Sequence, residues 1–170
     1  MVKKLFQHMN ETQVKYKTEY KDYSKHIAIM ISTDRNIFSE RSLVRARMIE
    51  YSKLYKELHI IIFSTTKFKK VQITDNCTVY STNSLSRWNY VFNANKIGKR
   101  IIKSLSIEEL ILVTCQNPFE TSLAGKYLCC LRKNTELLLQ IHTDLFSPYF
   151  ISNNIGFKNA LLNKIRLFIS

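Results

Sequence analysis

Glycine and proline are both scarce, three and two among 170 residues, where ordinary usage is about 7% and 5%. So little glycine excludes the glycine-rich turns that cradle phosphate in Walker and dinucleotide-binding loops. Acidic side chains are also in deficit, 13 against 26 lysines and arginines, for a net charge of +13. That excess predicts long-range attraction to anionic partners: nucleic acid, a phospholipid surface or a phosphorylated substrate. Metal-ligand spacing is missing from the four cysteines, Cys77, Cys115, Cys129 and Cys130. They read as free thiols in a reducing compartment. No apolar run approaches the roughly 18 residues that span a bilayer, and no long apolar segment precedes a cleavage-like site at the N-terminus. The expectation is a cytoplasmic chain with peripheral contact to the inner face of the membrane.

What is present is enough for one domain, since 45% of the chain is hydrophobic. Residues 1–25 form a polar, lysine-rich leader, read as disordered or loosely helical. From His26 onward, short apolar runs alternate with helical periodicity. His26 to Ile31 and Leu58 to Phe63 read as buried strands, and Ser42 to about Lys56 reads as a helix with Ser42 as its N-cap. Val71 to Ile73 and Cys77 to Tyr80 form a hairpin or one further strand around Thr74-Asp75-Asn76. A second helix, capped by Ser84 or Ser86, places Trp88, Val91, Phe92, Asn95, Gly98, Ile101, Ile102 and Leu105 roughly on one face. Lys96, Lys99, Arg100 and Lys103 crowd its other side, either as a solvated surface or as a patch facing phosphate or lipid headgroups. Leu110 to Val113 and Leu137 to Ile141 are two more buried strands, flanking a helix from Glu120 to about Leu131, and a last helical run covers Asn159 to Ile169. The pattern predicts an α/β fold, a Rossmann-like, mostly parallel sheet with helices on both faces.

Parallel sheets place ligands outside the carboxyl ends of their strands. Polar residues cluster there: Thr114, Gln116 and Asn117 after one run, His142, Thr143 and Asp144 after another. An imidazole titrates near neutrality, so His142 is suited to holding or transferring a proton. His142 and Asp144 alone are too few ligands for a metal, and no nucleophile elbow or Cys-His arrangement is evident. His59 reads as a packed or edge residue. Arg45, near the start of the first helix, lies where a helix N-terminus favours anions.

Three groups of segments, IMISTDRNIF with ERSLVRARMIEYSKLYKELHIIIFS, YSTNSLSRWNYVFNANKIGKRII, and above all VTCQNPFETSLAGKYL with LQIHTDLFSPYF, carry a family likeness. Over residues 26–170 the chain resembles the N-terminal domain of retaining, GT-B-fold glycosyltransferases of family 4. The resemblance implies an acceptor-side domain of an enzyme that moves a hexosyl group from a UDP- or GDP-sugar to a glycan or lipid-linked acceptor, with no covalently bound cofactor. It further implies that His142 contacts the transferred sugar or the acceptor, with Asp144 as acidic neighbour. Arg41, Arg45, Gln116, Asn117, Glu120 and Thr143 are then the acceptor- or donor-binding candidates. Asn117 stands where an aspartate is usual, Glu40, Arg41 and Ser42 occupy a region that commonly carries glycines, and Ser122 replaces another glycine. The family's donor-binding domain and the last strands of the N-terminal domain are expected to lie outside these 170 residues, so that a separate or missing donor domain is the implied partner and the chain alone is inactive. Peripheral binding to an anionic membrane or a lipid-phosphate acceptor fits the charge; a basic nucleic-acid-binding or non-catalytic scaffold domain is the alternative.

Overall fold

The structure, a computed structural model, describes residues 22–140. The leader before Asp22, His142, Thr143, Asp144 and the expected last helix lie outside the described residues. The described chain is α/β, with one six-stranded sheet in the order β3-β4-β2-β1-β5-β6. Its strands are β1 (His26–Ser32), β2 (Glu57–Ile62), β3 (Val71–Thr74), β4 (Cys77–Ser81), β5 (Leu110–Cys115) and β6 (Thr135–Leu139). All neighbours run parallel except β3, which joins β4 as an antiparallel hairpin at the edge. β1 lies centrally because every one of its residues is buried, the signature of a strand covered on both faces. Ile29 sits between His59 of β2 and Val113 of β5.

Alternation along the strands divides the core into two layers. Ala28 and Met30 join Leu58, Ile60, Ile62, Cys77 and Val79 beneath Met48 of helix α1 (Leu43–Ser52). Ile29 and Ile31 join Ile61, Phe63, Ile111 and Val113 beneath helices α2 (Tyr90–Ser104) and α3 (Glu120–Cys129). Burial pushes the Cys77 thiol up to about 11 and, with a lesser contribution from Cys129, the Cys115 thiol to about 12, so these two side chains serve as core atoms.

Ser42 caps α1 as expected, its Oγ accepting from the Arg45 amide at 3.1 Å. The helix ends earlier than its periodicity predicts. Asn76, in the β3–β4 turn, donates through Nδ2 to the carbonyls of Ser52 (2.8 Å) and Tyr55 (3.2 Å). The Ser52 carbonyl also accepts from the Tyr55 amide at 3.3 Å, and Asn76 adds a tie between the helix end and the β3–β4 turn. The Lys56 amide then donates to the His26 carbonyl, and the chain is already entering the sheet.

The second helix corrects the sequence reading twice. Neither expected serine caps it through a side-chain bond to the backbone. Ser86 opens a 3₁₀ turn, Arg87–Asn89, and its Oγ donates to Asn89 Oδ1 at 2.8 Å. Ser84 is buried and accepts from Asn93 Nδ2 at 2.8 Å. Trp88 and Phe92, expected on the buried face, are 86% and 69% exposed. The buried line runs through Ala94, Gly98, Ile101 and Ile102, and Phe92 is turned roughly 200° from Ala94 at about 100° per residue. β6 also departs from expectation. Its leucines, Leu137, Leu138 and Leu139, remain 39–43% exposed, since among the described residues the strand pairs only with β5.

Candidate functional site

The strand order reverses beside β1. From β1 the chain crosses through α1 to β2, whereas from β4 it returns over the opposite face through α2 to β5. The loops after β1 and β5 therefore part, leaving the crevice at which parallel sheets hold ligands. Ser32 ends β1 and Gln116 directly follows β5. Ser32 Oγ donates to Gln116 Oε1 at 2.5 Å and accepts from the Asp34 amide at 3.1 Å. The Gln116 amide nitrogen donates to the Ile31 carbonyl at 3.2 Å. Gln116 is thus fixed through backbone and side chain, while its Nε2 keeps two donor hydrogens without a partner among the described residues. Two positions back, Thr114 is 1% exposed and its hydroxyl has no hydrogen-bond partner among the described residues.

The following loop is locked by its own side chains. Asn117 Oδ1 accepts from the Phe119 amide at 3.0 Å, an Asx turn. Thr121 Oγ1 accepts from the Asn117 amide at 3.2 Å and donates to the Asn117 carbonyl at 2.8 Å. Asn117 can therefore present its Nδ2 and the second lone pair of Oδ1 to a ligand. Glu120 opens α3, where a carboxylate favours the positive end of the helix dipole. Arg41 is exposed and Arg45 half-buried at the start of α1. No hydrogen bond or ion pair joins either arginine to Gln116 or Asn117 among the described residues. Sequence reasoning missed Ser32 and Thr121 as the residues that hold the site; a serine closing a wholly buried strand was the available signal.

A second constellation lies at the same end of the sheet, on the face that α2 covers. A groove of about 530 Å³ runs between β4 and α2, lined by Tyr80, Asn83, Asn93 and the cations Lys70, Lys96 and Arg100. It adjoins a smaller hollow of about 220 Å³ that shares Tyr80 and Arg100. Among the described residues no carboxylate lines either. Lys70 Nζ sits 5.2 Å from the centroid of the Tyr80 ring. The Tyr80 hydroxyl lies 3.4 Å from His59 Nδ1, and His59 Nε2 lies 3.2 Å from Glu57 Oε2. Burial holds the His59 imidazole below its ordinary pKa, against the pull of Glu57, so His59 is a packed residue as its sequence context predicts. Among the described residues, no group of three histidine, cysteine, aspartate or glutamate side chains could hold a metal ion, and no helix is long and apolar enough to cross a membrane. Compared with models of protein families, with curated proteins and with solved structures, the chain matches none.

Proposed function

We propose that this domain forms the acceptor-side wall of a retaining, GT-B-type glycosyltransferase that moves a hexosyl group from a UDP- or GDP-sugar to a glycan or lipid-linked acceptor. The observation that carries the reading is the Ser32–Gln116 pair at the strand-order reversal. It lies where a parallel sheet takes its ligand, and its Gln116 opens the QNPFET segment on which the family resemblance rests. In this reading, Gln116 Nε2 and Asn117 Nδ2 donate to acceptor hydroxyls. The short bond from Ser32 fixes the Gln116 amide before the ligand arrives, which lowers the entropy lost on binding.

His142 and Asp144 are assigned, by resemblance, to sugar contact and proton handling, with Thr143 beside them. Arg41 and Arg45, at the start of α1, and Glu120, at the start of α3, are assigned by the same resemblance to acceptor or donor binding. Sugar transfer passes through a charged transition state, and its stabilisation needs preorganised groups on both sides of the reacting bond. The donor wall is then supplied by a second domain, in the same polypeptide or a separate one.

The purified 170-residue chain is expected to transfer no sugar from radiolabelled UDP-glucose, UDP-N-acetylglucosamine or GDP-mannose to oligosaccharide or polyprenyl-phosphate acceptors. Measurable transfer by this chain alone would overturn the assignment of the donor wall to another domain.

A further inference from the structure

Three bulky apolar side chains stand in solvent beside the basic groove. Leu85 is 93%, Trp88 86% and Phe92 69% exposed. They are clustered in sequence around the 3₁₀ turn and the first turn of α2. Exposing them is unfavourable unless something apolar receives them. From Phe92 the helix continues into Lys96, Lys99 and Lys103, at spacings of four, three and four residues, a single stripe of one helix face; all three lysines are exposed. Lys96 also lines the groove with Lys70 and Arg100. Arg100 Nε donates to the Lys96 carbonyl at 3.3 Å, which orients the guanidinium and leaves its Nη groups without a partner among the described residues. None of these cations has a carboxylate partner there.

We propose that this face docks on an anionic phospholipid bilayer, with Leu85, Trp88 and Phe92 entering the interface and a headgroup phosphate seated in the groove between Lys70, Lys96 and Arg100. Tryptophan and phenylalanine next to lysine is the side-chain mixture that favours a membrane interface, where an apolar body meets hydrocarbon and cations meet phosphate. The groove adds recognition: Asn83 Nδ2 donates to the Phe68 carbonyl and Asn93 Nδ2 to Ser84 Oγ, which fixes both amides at the groove wall with one donor hydrogen each to spare. A nucleic acid would use the cations but gives no apolar medium for Leu85. A second copy of the chain would cover the apolar residues while placing like charges against each other.

The docking face does not rest on the sugar-transferase reading, because none of its residues belongs to the Ser32–Gln116 site. Trp88 is the single tryptophan of the chain, so its fluorescence reports docking without a label. Vesicles of phosphatidylcholine containing about one third phosphatidylglycerol are expected to blue-shift the emission, and pure phosphatidylcholine vesicles to leave it unchanged. Binding weakens as salt rises. Lys96→Gln with Arg100→Gln lowers the partition coefficient by about tenfold or more, and Leu85→Ser with Phe92→Ser lowers it by about tenfold. An unchanged melting temperature in these surface variants separates lost docking from lost folding, and the vesicle comparison on the unsubstituted chain decides the proposal by itself. The proposal is overturned by no shift with anionic vesicles, by a shift with duplex DNA but not vesicles, by a shift that grows with protein concentration alone, or by both double variants binding like the parent.

Discussion

Ile29→Ala is expected to lower the free energy of unfolding by about 4 kcal/mol, seen as a fall in the urea midpoint. Ile29 has no exposure, lies in the central strand, and packs in the layer beneath α2 and α3. Its neighbours in register, His59 and Val113, belong to strands fixed by their own ladders. Neither can move into the space left by the missing atoms, so the substitution loses transfer free energy and leaves most of a cavity. Small domains are stable by only about 5–15 kcal/mol, and the variant should approach unfolding at physiological temperature. Leu43→Ala gives the contrast. Leu43 is 87% exposed, and its truncation should change stability by less than about 0.5 kcal/mol.

Gly125→Val should be nearly as damaging, by about 3 kcal/mol on the same urea scale. α3 approaches the sheet so closely that a Cβ at position 125 would collide with Cys115 Sγ and come within 2.9 Å of Leu137 Cδ1 and 3.4 Å of Val113 Cγ1. Cys115 is buried and its thiol donates to the Thr121 carbonyl at 3.2 Å, so it cannot retreat without breaking that bond. A β-branched side chain adds a second collision and has little rotamer freedom with which to avoid it. Gly98 makes the corresponding contact between α2 and α3, where a Cβ would meet Leu128 Cδ1 at 2.5 Å. The obstacle there is the end of a side chain that can rotate, and Gly98→Ala should cost less than Gly125→Val.

The features readable from sequence are those decided by neighbours along the chain. His26 to Ile31 and Leu110 to Val113 read as buried strands because burial on both faces leaves an unbroken apolar run, and Ser42 announces its helix because a cap lies three residues from the amide it satisfies. Features set by distant residues were not readable. The end of α1 is tied to Asn76, 24 positions beyond Ser52. The Ser32–Gln116 bond joins residues 84 apart, so two polar residues at separate strand ends did not identify themselves as one site. Trp88 was misplaced because it belongs to the 3₁₀ turn at Arg87–Asn89, ahead of the regular helix, and Phe92 because the face was drawn wide enough to include a residue roughly 200° from Ala94. The apolar run of β6 promised burial that its position at the sheet margin does not provide.

The same margin between local and distant information separates the two ends of the functional account. QNPFET is a short segment and carried the resemblance; the hydrogen bond that makes Gln116 a positioned donor appears only in the folded chain. Asn117, at a position where the resemblance implies an aspartate, has its side-chain oxygen accepting from the Phe119 amide. An aspartate at this position would accept the same bond, so the substitution preserves the turn while removing a charge from the crevice.

The most direct test of the central claim is an amide-resolved NMR titration of the chain with short glycosides and, separately, with UDP-glucose and GDP-mannose. The account predicts glycoside-induced shifts concentrated at Ser32 to Asn36 and Gln116 to Thr121, weakened about tenfold in Gln116→Ala, the loss of a hydrogen bond worth about 1.4 kcal/mol, with the nucleotide-sugars leaving those amides unmoved. Glycoside shifts that avoid both segments, or nucleotide-sugar shifts centred on them, would contradict it.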